Sequence, residues 1–204
     1  MKLLKRISVV EVKRAFVVAD LISHKKDRRK HLSFVPENVF IKKLDTVHKK
    51  VLKLKEPQLN KIIGDEWHNK RLIAYNKSDW YLGEVNTNEV GVWKKAGGLP
   101  LSWTNDSLAE TAKKVKYALD FNPKLLKKRA RYSIPNMLKT NVHLLQQEKY
   151  LLPIVFKDGT GTNGRKGIKK RLKGDIDDGC MRSVALAVGG VKKLKVYIGM
   201  PKKK

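Results

Sequence analysis

Apolar residues recur along this chain at two different spacings, and the spacing tells which elements to expect. After Pro36, the residues Val39, Phe40, Leu44, Val47, Val51 and Leu54 follow at steps of one, three and four. Positions at those steps stack on one side of a 3.6-residue turn, so the run predicts an amphipathic helix. Lys42, Lys43, Lys49, Lys50, Lys53 and Lys55 fall between them and give that helix a basic outer face. Pro57 ends the element or restarts it. Leu59, Ile62, Ile63, Trp67, Leu72 and Ile73 carry the helical pattern onward, with Gly64 as its weak point. Upstream, ISVVEVKRAFVVADLI is apolar enough for either element type; it is read as a strand over residues 7–12 and a helix over 14–23. Glu11-Val12-Lys13, the E-x-K of a nuclease core, lacks an acid among the ten residues before it and is read as a solvated charge pair.

The middle of the chain changes pattern. DWYLGEVNTNEVGVWKK predicts a β-hairpin, with strands over 80–85 and 89–93 around the turn Asn86-Thr87-Asn88. Leu108, Ala112, Val115 and Leu119 then form a helical stripe, with Asn105 or Asp106 as its cap. Asn122-Pro123 starts a second short helix that Pro135 closes. In the last third, YLLPIVF suits a buried strand, GCMRSVALAVGG a helix beginning near Gly179, and VKKLKVYIGMP a final strand. Val155 and Val196 should lie in one sheet. The fold class expected is α+β: a helical N-terminal part, a hairpin, then a C-terminal strand–basic loop–helix–strand unit. One domain over 1–204 is the simpler account, with a possible division into 1–78 and 79–204.

Charge changes the picture most. Forty-six Lys and Arg stand against 19 Asp and Glu, a formal +27 at pH 7. A compact domain with that excess repels itself. A polyanion relieves the repulsion, and each neutralised phosphate also releases condensed counterions. The expected partner is therefore nucleic acid, in a protein of ribosomal, viral or mobile-element type. The contacts would be mainly to phosphate, with single strands or RNA favoured because no major-groove reader stands out. An anionic membrane surface is the second polyanion to weigh. No apolar run is long enough to span a bilayer, no secretory leader is read, and no cofactor is expected. The single cysteine, Cys180, excludes an internal disulfide and fits a reducing, intracellular setting, with cytoplasm or nucleoid left open.

Candidate contact residues cluster in three places. HKKDRRKH holds Arg28 and Arg29; the KLLKKRARY segment holds Lys127, Lys128, Arg129 and Arg131. The third place is the Gly-rich stretch from Lys157, with Arg165, Lys166, Lys169, Lys170, Arg171 and Lys173. Its glycines let the backbone approach phosphates closely. Trp80, Tyr81 and Trp93 are candidate rings for stacking on unpaired bases, at roughly 1–3 kcal/mol per base.

One cluster could support catalysis. In GDIDDGCMR, Asp175 and Asp177 share a face if extended, and two carboxylates there can hold Mg²⁺ for phosphodiester cleavage. Asp178 completes the acidic set and Arg182 could dock a phosphate. Residues 175–182 loosely resemble the Asp-x-Asp-Asn motif, followed by a basic residue, of the RusA-type junction resolvases. The resemblance implies a Mg²⁺-dependent nuclease with Asp175, Asp177 and Asp178 as catalytic residues. The chain departs from that motif twice: its basic residue comes one position late, and no acid follows in VKKLKVYIGMPKKK. The competing reading makes Asp177 or Asp178 a helix cap and the whole cluster a counterweight to the basic loop.

Overall fold

The strand nearest the C-terminus, Lys193–Pro201, is where the sheet is joined together. A computed structural model of the chain describes residues 1–23, 37–64, 69–138, 149–157 and 172–202. In chain order these form β1 (Lys2–Ile7), α1 (Val9–Ser23), α2 (Glu37–Leu52), α3 (Glu56–Ile63), α4 (Asn69–Asn76), β2 (Ser78–Asn86) and β3 (Val90–Gly91). Then follow α5 (Leu101–Thr104), α6 (Leu108–Phe121), α7 (Lys128–Asn136), β4 (Ile154–Lys157), β5 (Gly174–Asp178), α8 (Cys180–Val188) and β6 (Lys193–Pro201). The fold is α+β around one mixed sheet in the order β1-β2-β6-β4-β5-β3. β6 runs antiparallel to β2 and parallel to β4, with Val155 opposite Ile198, so Val155 and Val196 do share a sheet.

The expected hairpin over 80–93 does not form. β2 has two edges, and β1 and β6 occupy both. β3 instead crosses to the far side of the sheet and pairs in parallel with β5. Val90, and Val92 just beyond the strand, are fully buried there. The antiparallel hairpin is β4–β5, and the basic stretch 158–171 is its connection. That stretch leads into a strand and not directly into the helix, as the last third had suggested.

The N-terminal reading is corrected in the same way. The strand is Lys2–Ile7, and the helix starts at Val9. Ser8 explains the early start, because its hydroxyl and its carbonyl both accept from the Glu11 N–H, at 3.2 and 3.1 Å. A Ser followed three residues later by Glu is a capping-box sequence, and it outweighs the β-branched composition. α1 is buried almost all round, with Val12, Ala15, Phe16, Val17, Val18, Ala19 and Ile22 in the core. Pro57 sits in the first turn of α3, so it restarts a helix, and Gly64 ends it. Ser107, not Asn105 or Asp106, caps α6: its hydroxyl accepts from the Glu110 N–H at 3.2 Å. Pro135 falls inside the end of α7 and does not stop it short.

Rings weld the helices to the sheet. Tyr75, Trp80 and Phe156 form a chain of contacts with centroids 5.2–5.9 Å apart, and Phe16 meets Tyr75 edge-on at 6.1 Å. The Trp80 indole N–H donates to the Tyr75 carbonyl at 3.0 Å, so its polar atom is satisfied in the core. Gly199 lies opposite both Trp80 and Phe156, and a Cβ there would come within 2.9–3.0 Å of the two rings.

Lys13 is not solvated: its side chain is fully buried, and its ammonium meets Glu56 Oε1 at 2.6 Å where α3 begins. Removing one partner of such a pair leaves a charge in the core, whereas replacing the charge by a hydrophobe of similar volume does not. Glu56→Ala is expected to lower unfolding stability on the order of 2 kcal/mol, while Lys13→Met is expected to change it little or raise it. Urea unfolding of the two variants checks the asymmetry.

Candidate functional site

The acidic cluster is carried by a strand with an extra residue. Ile154 faces Asp178 and Val155 faces Ile176, so Asp177 is the unmatched residue of a β-bulge. A bulge re-aims side chains, and this one turns Asp177 toward α4. Arg71 Nε donates to Asp177 Oδ2 at 2.6 Å, and Arg71 Nη2 donates to the Asp177 carbonyl at 3.3 Å. The Tyr75 hydroxyl donates to the same Oδ2 at 3.4 Å. Both ends of the ion pair are buried. The guanidinium carbon also lies 4.7 Å from the Phe16 ring centroid and 5.8 Å from that of Trp93.

Asp178 faces the next element. Its Oδ2 accepts from Arg182 Nη2 at 2.8 Å, four residues on, and Arg182 Nε donates to the Leu151 carbonyl at 3.1 Å. Neither Asp177 nor Asp178 caps α8. The cap residue is Gly179, at φ 83°, and no side chain bonds there. Glycine is demanded at this position, since a Cβ would add left-handed strain and meet Arg182 Nη2 at 2.9 Å. Asp175 is buried opposite Phe156. Cys180 is half-buried; its Sγ accepts from the Trp93 N–H and donates to the Ile176 carbonyl, both at 3.4 Å.

The charges of this cluster reinforce one another. Burial alone would lower the Arg71 pKa, but the Asp177 carboxylate beside it wins and raises it above the usual value. Burial raises the Tyr75 phenol well above its ordinary value, and the Asp177 charge raises it further. The tyrosine is therefore a donor, not a base, at neutral pH. Where the nuclease reading places a cation against Asp177, a guanidinium stands. Among the described residues no group of three or more His, Cys, Asp or Glu comes together.

No protein-family model, curated protein or solved structure matches this chain.

The sequence-picked cations divide between the described residues and the rest. Arg28, Arg29, Arg165, Lys166, Lys169, Lys170 and Arg171 lie outside the described residues. Lys157 and Lys173 stand at the two feet of the β4–β5 connection. Lys173 is tied down: its N–H donates to the Glu89 carbonyl at 2.8 Å and its ammonium to Glu89 Oε1 at 2.5 Å. Lys127 and Lys128 are exposed at the start of α7, Arg129 is on the same turn, and Arg131 Nη2 donates to the Leu126 carbonyl at 2.9 Å. Of the proposed stacking rings, Trp80 is only 2% exposed, and its place in the core leaves no face for a base. Tyr81 is half-buried and Trp93 is 37% exposed, so the three rings do not make one platform. Arg71 was missed from sequence; its one signal is the four-residue spacing to Tyr75 on α4.

Two predictions follow from these pairs. Asp177→Asn leaves the Arg71 charge buried without its counterion and is expected to cost about 3–5 kcal/mol of stability, read by urea unfolding. A loss of activity without a loss of stability would speak instead for a catalytic aspartate. The second prediction concerns Glu89. Burial pushes its pKa up, but hydrogen bonds from Lys173, from the Met1 amino group and from the Asn86 N–H outweigh it and hold the pKa at about 2, below the usual 4.5. A depressed acid stabilises fully above its unfolded pKa and loses that contribution as pH falls through its folded one. Wild type should therefore lose on the order of 1 kcal/mol more than Glu89→Gln between about pH 5 and pH 2. Paired urea titrations across that range measure the difference.

Proposed function

We propose that this protein is a non-catalytic nucleic-acid-binding protein that holds its ligand mainly by the phosphates, with RNA or single strands preferred. The observation that carries this is the charge which cannot be cancelled within the chain. Several acids on the described surface are already engaged: Asp79 with Arg6, Glu84 with Lys193, Glu110 with Lys113, Asp120 with Lys116. Even if all 19 acids were paired, 27 cations would remain. Lys2 and Lys5 on β1, Lys49, Lys50 and Lys53 at the end of α2, and Lys124, Lys127 and Lys128 around α7 are all exposed.

The reading also fits the acidic cluster. Asp177 and Asp178 are bonded to Arg71 and Arg182, so they act as ties between α4, β5 and α8 that fix the base of the basic hairpin. A nuclease would need these carboxylates turned to a metal. No helix of the described residues is long and apolar enough to cross a membrane.

Binding to labelled single-stranded RNA, single-stranded DNA and duplex DNA, measured by anisotropy over a salt series, tests the proposal. Affinity should fall steeply with salt, and adding Mg²⁺ or Mn²⁺ should produce no cleavage. Replacing Lys124, Lys127 and Lys128 together by Ala should reduce the magnitude of the single-strand salt slope by about 2, since each phosphate contact contributes about 0.7. Binding to anionic vesicles that RNA cannot displace, or no binding to any of the three nucleic acids in dilute buffer, would overturn it.

A further inference from the structure

We propose that Tyr117 and Phe121, on the outer face of α6, form a base-stacking platform for single-stranded nucleic acid. This rests on the nucleic-acid reading above and locates where the bases, as opposed to the phosphates, are held.

α6 has two faces. Leu108, Thr111, Ala112, Val115 and Ala118 are buried, and Ser107 fixes the start of the helix. One helical repeat further round, Lys113, Lys116, Tyr117, Asp120 and Phe121 are exposed. Tyr117 is 60% exposed and Phe121 74%. They stand four residues apart with centroids 5.2 Å apart and planes tilted by 43°, side by side rather than hidden against one another. Two open rings on a helix that already has a complete buried face contribute nothing to the core. Their exposure costs free energy that a stacked ligand would recover.

The surroundings select the ligand. Lys113 and Lys116 are neutralised by Glu110 and Asp120, each at 2.7 Å, so the rings sit in a locally balanced patch. The uncompensated charge comes next in the chain. Lys124, in the tight turn Pro123–Leu125, and Lys127 and Lys128, at the start of α7, follow Phe121 within seven residues, and all three are exposed. Rings followed in the chain by exposed lysines match a strand whose bases stack and whose phosphates meet the cations. A partner helix would need apolar residues along the whole face; Leu125 is also exposed, but it lies beyond the end of α6, and the turn before Tyr117 offers Lys113 and Lys116. A duplex offers no free base faces to such rings.

The test compares Tyr117→Ala/Phe121→Ala, Tyr117→Phe and wild type on a single strand of about 12 nucleotides and on a duplex of that length, with salt varied. Both positions are exposed, so the fold should persist, as circular dichroism and urea midpoint would confirm. The double variant should bind the single strand roughly 10–100-fold more weakly, with an unchanged salt slope, because no charge is removed. Duplex binding should stay within about two-fold, and Tyr117→Phe should bind like wild type, since stacking needs the ring and not the hydroxyl. Equal losses on single strand and duplex, or no loss on the single strand, would overturn the platform while leaving phosphate binding intact. A fall in sedimentation mass in the double variant would also overturn it, by making the rings a contact between copies of the chain. Failure of wild type to bind any nucleic acid removes both proposals together.

Discussion

The ion pair between Arg71 and Asp177 is the contact on which the arrangement of this protein turns. It joins the short helix α4 to a bulged strand of the sheet, at the point where the N-terminal helices meet the C-terminal half. Taken alone, a buried pair is weak grounds for stability, because each ion gives up its hydration. Here the cost is offset by a second bond from the guanidinium to the Asp177 carbonyl, by the Tyr75 hydroxyl, and by the Phe16 ring over the cation. The bulge matters as much as the charge. Without an extra residue at Asp177, the alternation of β5 would aim this carboxylate elsewhere.

That contact belongs to a wider division of labour between the signs of charge. Several acids of the described surface and core are tied to particular cations: Glu56 to Lys13, Glu89 to Lys173, Asp178 to Arg182. Each tie joins elements distant in sequence or fixes the entry to one. Among the described residues Lys2, Lys5, Lys49, Lys50, Lys53, Lys124, Lys127 and Lys128 stand at exposed positions. Several acids thus hold the fold, and on the reading proposed above the exposed lysines are what a ligand meets. The same separation accounts for an acidic cluster that looks catalytic in sequence and is stitched to arginines in three dimensions.

Much of the fold was legible in the chain because it depends on local rules. The apolar steps of three and four from Val39 to Leu54 gave α2 nearly its true limits, and YLLPIVF and VKKLKVYIGMP gave the strands that share the sheet. Errors arose where the answer depends on partners remote in sequence. The Trp80–Trp93 stretch has turn residues and alternation enough for a hairpin, but β6, more than a hundred residues later, takes the edge that the return strand would need. The Asp residues were found by composition, yet nothing near them announces Arg71, which lies 106 residues away. The start of α1 was the exception, since Ser8 and Glu11 spelled its cap plainly and the β-branched residues around them drew the reading elsewhere.

The aromatic residues make the same point about function. Tryptophan draws attention as a stacking ring because it is large and rare, but large rings are also what a core gains most from burying. Trp80 has a satisfied N–H, two ring neighbours and a glycine across the sheet that makes room for it. Tyr117 and Phe121 look unremarkable in sequence, lodged among lysines on a helix whose apolar stripe is already complete. A ring required by the fold is enclosed by it, so the rings left outside a finished core are the better guide to what the surface meets. By that reasoning the proposed base contacts belong on α6, and the proposed phosphate contacts on the basic sequence that joins β4 to β5.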